Sequence, residues 1–339
     1  MKEKFKIGVG LGLIILATGC GIQREFLISG RTMGTTYHIT IVMHFWKNPA
    51  GLHQKIDRRL EEINRSMSTY RVDSEISRFN SLTSVTKQFK ASDDFMQVAL
   101  AAEKIYRLSG GAWDGTIEPL VERWGFKSTG APKTLPSEKE IKRLLDSVGF
   151  DHLEVSRSGY LKKKKPGISL DFASIAKGYA VDQVAALLRA EGLENFLVEI
   201  GGEVYAAGIK INGSRWKVGI NQPSKDAPPD RVYRAVPLEN QALATSGDYR
   251  NFFELDGKTY SHIIDPRTGF PVDNGVVSVS IRAESCMLAD GLATAGMVMG
   301  PEKGLALLEG LEGVEGLIVV RQKDGSLLDY YTKGFKVNS

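Results

Sequence analysis

The sequence predicts an α+β fold: one sizeable domain with mixed or antiparallel sheets and flanking helices. Three observations carry this expectation. Helical and strand-like segments follow one another along the chain with no internal repeat and no long linker. Glycine is abundant, at 36 of 339 residues against a usual share of about 7%, so turns are many. Apolar residues make up 42% and charged residues 25%, the balance of a globular chain long enough to bury its own core. The net charge of +4 is too small to serve as a footprint on nucleic acid, and no such partner is expected.

The N-terminus reads as an export signal. Lys2, Lys4 and Lys6 precede an apolar run from Ile7 to Ala17. That run is too short for a bilayer span of roughly 20 residues but suits a secretory signal. It ends in Leu16-Ala17-Thr18-Gly19-Cys20, which resembles the lipobox of bacterial lipoproteins. The expected organisation is a signal peptide over 1–19, a lipidated tether over 20–29 starting at Cys20, and a folded domain over 30–335. Such a chain is anchored to the bacterial membrane by lipid, with its domain in the periplasm or another extracytoplasmic space. Cys286, beside Ser285, Met287 and Leu288, reads as a small buried hydrophobe rather than a nucleophile.

Helices are placed by apolar residues at helical spacing and by their end signals. Leu52, Ile56, Leu60, Ile63 and Met67 form one stripe. Asp94 to Leu108 follows Ser92 as a cap and stops at Gly110-Gly111. Ser137 and Glu140 have the spacing of a capping box for a helix carrying Ile141, Leu144, Leu145 and Val148. Ile175 to Leu188, Met287 to Met299 and Glu302 to Leu311 complete the helices. Strand-like runs are Gly34 to Met43, Phe196 to Ile200, Arg215 to Ile220, Ala242 to Ser246, Val276 to Ala283 and Gly316 to Val320. Lys162-Lys163-Lys164-Lys165, before Pro166-Gly167, reads as the solvated rim of a turn between two strands.

Several chemistries are excluded by what is missing. There is no His-Glu-x-x-His zinc pair, no Gly-x-Ser-x-Gly elbow and no complete phosphate loop. Four polar segments remain. The first runs from Met67 through Tyr70 and Arg71 to Asn80; the second is Gly110-Gly111-Ala112-Trp113-Asp114. In the third, Asp171 to Ala180, an apolar strand ends at an aspartate and a helix begins, with Lys177 in its first turns. Such a helix start aims free N–H groups and positive charge at an anion. In the fourth, Asp290 and Thr294 share one helix face, forming half of an all-oxygen site for a hard cation such as Mg²⁺. His262, in Tyr260 to Gly269, is a base candidate in a turn.

Taken in order, these segments resemble the ApbE family of FAD:protein FMN transferases. The resemblance runs from Gly30-Arg31-Thr32-Met33-Gly34-Thr35 to the final strands; each motif is weak singly, but together and in sequence they are specific. It implies a Mg²⁺-dependent enzyme with FAD as substrate. The FMN moiety passes through a phosphoester bond to a Thr or Ser hydroxyl of an acceptor protein, and AMP is released. It further implies FAD contacts at Met33, Tyr70, Ala112, Trp113, Asp114, Asp171, Lys177, His262 and Ile263. The implied metal ligands are Asp290, Thr294 and the backbone oxygen of Ser174, where many members carry Ala. Gly201-Gly202-Glu203 departs from the more usual Gly-Gly-Asp, and Glu203 stays outside the ligand set. In this reading His262 is the catalytic base, and Tyr70 and Trp113 offer ring faces to flavin or adenine, with core packing the other role open to Trp113. The implied acceptor carries an Asp-x-x-Thr/Ser motif, as in subunits of sodium-translocating or Rnf-type redox complexes. The alternatives are an FAD-binding lipoprotein and an FAD pyrophosphatase yielding FMN and AMP.

Overall fold

An eight-stranded antiparallel sheet organises the domain. The computed structural model describes residues 23–335 apart from 128–133, 225–226, 229–230, 250 and 256, so the expected signal peptide and Cys20 lie outside the described residues. The described chain opens with a hairpin of β1 (Gln23–Thr32) and β2 (Thr35–His44). Its two connecting residues, Met33 and Gly34, have φ of 49° and 73°, the left-handed pair that a type I′ turn requires. The folded domain therefore reaches back at least to Gln23 rather than Gly30: the described part of the expected tether belongs to an edge strand. Arg24, Glu25, Ser29 and Arg31 lie along that strand and hide its apolar alternation from a sequence reading.

The elements that follow are α1 (Leu52–Met67), α2 (Glu75–Asn80), β3 (Phe89–Lys90), α3 (Asp93–Leu108), α4 (Glu118–Arg123) and α5 (Glu138–Leu145). Then come β4 (Leu153–Ser156), β5 (Tyr160–Lys163), α6 (Ala173–Ala190), β6 (Asn195–Ile200), β7 (Glu203–Ala207) and β8 (Trp216–Asn221). The chain continues through β9 (Val232–Leu238), β10 (Gln241–Gly247), β11 (Phe252–Leu255), β12 (Lys258–Ser261) and β13 (Val276–Ala283). It closes with α7 (Cys286–Glu309), β14 (Glu315–Arg321) and β15 (Leu327–Tyr331).

The expected caps are present. Ser92 Oγ accepts the Phe95 N–H at 3.3 Å, and Ser137 with Glu140 forms a reciprocal capping box. The expected break after Met299 is also present, as a kink in α7 at Gly300, φ 78°, followed by Pro301.

The main sheet runs β1-β2-β6-β7-β10-β13-β14-β15. Every pairing between named strands is antiparallel, so among the described residues the sheet is not mixed. Two clusters occupy the two faces. On β13, Val279 and Ile281 pack under α7, while Val277, at the register shift between Val276 and Ser278 that interrupts the alternation, joins Trp216, Val236 and Leu238 of the β8–β9 hairpin on the opposite face. Helices α1, α3 and α6 cover the half of the sheet built on β2 and β6. No helix among the described residues is long and apolar enough to cross a membrane.

One expectation about charge is corrected. Lys163 is not on a solvated rim: it ends β5, is 2% exposed, and donates to the carbonyls of Asn80 (3.1 Å) and Leu82 (2.7 Å) over the Phe79 ring. Its alternation along β5 turns it inward, where two backbone oxygens and a ring face receive the ammonium. Burial pushes its pKa down to about 8.

Candidate active site

A cavity of about 470 Å³ opens where the first turns of α6 and α7 meet the β6–β7 turn and the ends of β8 and β10. It gathers Tyr70, Asp171, Ser174, Lys177, His262, Ile263, Asp290 and Thr294, residues that the sequence singled out in separate segments.

Helix α6 is brought there by an extended segment rather than the expected strand. Ile168 and Leu170 are fully buried, but Asn80 replaces a neighbouring strand: its side chain accepts the Leu170 N–H at 2.7 Å and donates to the Leu170 carbonyl at 2.9 Å. Asp171 then opens the helix by accepting the Ala173 N–H at 2.8 Å. Lys127 Nζ lies 3.7 Å from its other oxygen and 2.7 Å from Glu118.

Helix α7 is locked across α6 by two aspartates. A Cβ on Gly178 would stand 2.5 Å from the Cys286 carbonyl oxygen, so only glycine permits the crossing. At that crossing the Gly178 N–H donates to Asp290 Oδ2 at 3.1 Å. One turn along, Asp182 accepts from Ser285 Oγ (2.8 Å), Cys286 N–H (2.8 Å) and Met287 N–H (3.0 Å), so α6 supplies a cap for α7. Cys286 is fully buried, and burial with the surrounding carboxylates holds its thiol well above the usual range, as an inert core residue.

Charge in the cavity is concentrated. Lys177 Nζ pairs with Glu203 Oε1 at 2.6 Å, and Glu203 Oε2 is buried without a hydrogen-bond partner. Burial acts to lower the Lys177 pKa, but Glu203 and Asp290 together carry it above its ordinary value. Burial raises both carboxylates, and the Glu203 charge raises Asp290 further. Thr294 Oγ1 lies 3.0 Å from Ser246 Oγ.

The donor set fits a hard divalent cation. Asp290 offers a carboxylate, Thr294 a hydroxyl and Ser174 a backbone carbonyl, all oxygen. The Ser174 hydroxyl is engaged elsewhere, accepting from Trp113 Nε1 at 2.9 Å. Gly178, whose N–H a regular helix aims at the Ser174 carbonyl, donates also to Asp290, so these two ligands lie together. A cation there would relieve the excess of buried negative charge that Lys177 alone leaves. Among the described residues no three His, Cys, Asp or Glu side chains converge on one point.

His262 is held as a base would be. Its Nδ1 is 2.9 Å from the Asn251 carbonyl, which only accepts, so Nδ1 carries the proton and neutral Nε2 keeps a lone pair. Burial lowers its pKa, the Asn251 bond opposes, and Lys177 lowers it further.

Other expected contacts fall differently. Tyr70 is 78% exposed at the rim, its ring open to a flat ligand. Met33 is the left-handed tip of the β1–β2 hairpin, near Gly201 through Thr35, rather than a wall of the cavity. Ala112, Trp113 and Asp114 are all buried, at 1%, 2% and 5% exposure, and their side chains do not line it. Trp113 therefore takes the packing role, with its indole N–H bracing Ser174. Asp114 accepts from Thr116 N–H (2.8 Å) and Phe150 N–H (3.1 Å), and burial pushes its pKa up to about 6. Sequence reasoning missed Asp182 and Lys127 and discounted Glu203; for Glu203 the preceding glycine pair was the visible signal.

With this geometry in place, comparison with known proteins is informative. Residues 33–318 match the ApbE family. The FAD:protein FMN transferase of Vibrio cholerae serotype O1 is 42% identical over 97% of both chains. That of Haemophilus influenzae is 38% identical over 91% of both. The solved flavin transferase ApbE from Vibrio cholerae superposes with a TM-score of 0.84 at 41% identity, covering 93% of this chain and 99% of that one. Site residues and whole-chain likeness agree: the chain belongs to the ApbE family.

Proposed function

We propose that the chain is a flavin transferase that moves the FMN moiety of FAD onto a Thr or Ser hydroxyl of an exported or membrane acceptor protein, releasing AMP. The observation that carries this reading is the convergence of Lys177, His262 and the Asp290–Thr294 pair on one cavity from three distant stretches of chain. In the step itself, the acceptor oxygen bonds to the phosphorus of FMN. The anhydride P–O bond breaks, its electron pair leaves on AMP, and the hydroxyl proton passes to His262 Nε2. Lys177, oriented by Glu203, faces the growing negative charge. Tyr70 offers its exposed ring to the flavin or adenine. Asp290, Thr294 and the Ser174 carbonyl would hold magnesium, which would supply charge neutralisation at the pyrophosphate.

The decisive test incubates the mature protein with FAD, Mg²⁺ and a peptide containing Asp-x-x-Thr. The peptide gains the mass of FMN less water, and AMP appears with it. AMP without peptide modification would favour the pyrophosphatase reading instead.

Export and lipidation at Cys20 belong to the same proposal, supported by the lysine-led apolar segment and the Leu16 to Cys20 pattern. Acceptors in the same compartment, such as subunits of sodium-translocating or Rnf-type redox complexes, are then in reach. Cys20→Ser leaves soluble transfer intact and releases most of the protein from membranes; mutant protein that sediments with them as fully as the lipidated form contradicts the anchor.

A further inference from the structure

Two large aromatic side chains stand out of the domain at the end where the N-terminal segment joins. Phe45 is 51% exposed and Trp46 60% exposed, on the turn directly after β2. Their rings meet edge to face at 5.3 Å, and Trp46 stacks on His44 at 4.4 Å, so they form a preorganised pair. Arg24 reaches the same turn, donating to the Lys47 carbonyl at 3.3 Å, and its guanidinium covers Phe26. Gln23 pairs with His44, so the chain leading back to Cys20 departs beside this turn. Three residues of reach from Cys20 to Gln23 is at most about 10 Å.

We propose that Phe45 and Trp46, flanked by Arg24 and Lys47, form a surface that rests on the bilayer and fixes the orientation of the domain. The proposal rests on Cys20 as the lipid site, which puts acyl chains within reach of the turn. Aromatic rings with an apolar body partition to the headgroup level of a membrane, and the adjacent cations suit anionic lipids. A single exposed aromatic needs no explanation, but an adjacent pair beside the membrane-proximal end of a chain does.

The test uses tryptophan fluorescence, because the other three tryptophans, Trp113, Trp124 and Trp216, are only 2–3% exposed and leave Trp46 as the accessible reporter. The lipidated mature protein is placed in phosphatidylethanolamine–phosphatidylglycerol vesicles with brominated acyl chains. In parallel, a chain with an N-terminal hexahistidine tag in place of residues 1–20 is held on brominated vesicles by a nickel-chelating lipid. Quenching is expected in both, and its absence in Trp46→Phe assigns it. In the Cys20→Ser background, Phe45→Ser with Trp46→Ser weakens vesicle partition by on the order of tenfold.

Unquenched Trp46 in the tethered arms overturns the surface, as does a soluble Cys20→Ser dimer that Trp46→Ser converts to monomer. Mass measurement of the N-terminal peptide judges the anchor separately. A Cys20 without diacylglycerol ends that reading, while the hexahistidine arm still decides the surface.

Discussion

The Gly178 N–H donates to Asp290 Oδ2 across a helix crossing so close that a single methyl group on Gly178 would collide with the Cys286 carbonyl. This amide joins the anion-facing start of α6 to the carboxylate of α7. Gly178→Ala is expected to force the helices apart, since the obstacle is backbone and cannot rotate away. Overpacking of this kind costs about 1–3 kcal/mol. Asp182→Ala acts on the same joint by leaving three donors at the start of α7 without their carboxylate. Thermal unfolding should show both losses, and the Mg²⁺ concentration for half-maximal transfer should rise. An unchanged Mg²⁺ requirement in both variants would separate the crossing from the metal site.

Asp290→Ala should abolish transfer while the fold survives, because it removes the only charged side chain offered to the cation. Losing a group that stabilises transition-state charge costs on the order of 10²–10³ in rate. Thr294→Ala removes a neutral ligand, and excess Mg²⁺ should restore part of its activity. Single-turnover AMP release against Mg²⁺ measures both. Wild-type rates for Asp290→Ala in chelator would reject the assignment.

Lys177→Met should lower the rate by a similar factor, on the order of 10²–10³, with a smaller effect on FAD affinity. It also strips Glu203, a group 2% exposed, of its Lys177 ion pair, so some stability is lost with the activity. The informative variant is the double Lys177→Met, Glu203→Gln, in which stability should recover and turnover should not. Recovery of both would reduce Lys177 to a structural counterion.

His262→Ala should still bind FAD and transfer it roughly 10²–10⁴-fold more slowly, the range for a lost general base. Its pH signature has a definite sign. The neutral imidazole is the base, and burial together with Lys177 holds the pKa below its ordinary 6.5. The wild-type enzyme therefore keeps its base deprotonated to lower pH, and the acid limb of kcat/KM lies below about 6.5. Lys177→Met relieves the repulsion and should move that limb upward. An acid limb at or above 7 in the wild type, or one indifferent to Lys177, would point to another group.

What the sequence made legible was local chemistry. Ser137 and Glu140 announced a helix start, Gly300-Pro301 a break, and Asp290 with Thr294 one face of a helix, because each depends on residues within a turn of each other. What it concealed was decided by distant partners. For Trp113 both ring stacking and core packing stayed open, because nothing nearby in sequence reveals that Ser174, 61 residues on, takes its indole N–H. Asp182 caps α7 from α6, a role that exists only once the two helices cross. Lys163 sat in a run of lysines, and only the carbonyls of Asn80 and Leu82 explain why it alone turns inward. Strand β1 was masked by its own edge position, where one side faces water.

The β1–β2 hairpin pairs without interruption from Gln23 and His44 to Thr32 and Thr35, and its turn lies by Gly201 at the cavity. Ten residues of ladder make a rod of roughly 30 Å. With the Phe45–Trp46 end on lipid, that rod is a ruler: it holds the reactive centre at one height above the membrane. Acceptor hydroxyls would then be sorted by altitude as well as by sequence. Inserting one residue into β1 would alter this selectivity only by breaking the ladder, since the slip sends every side chain beyond it to the opposite face.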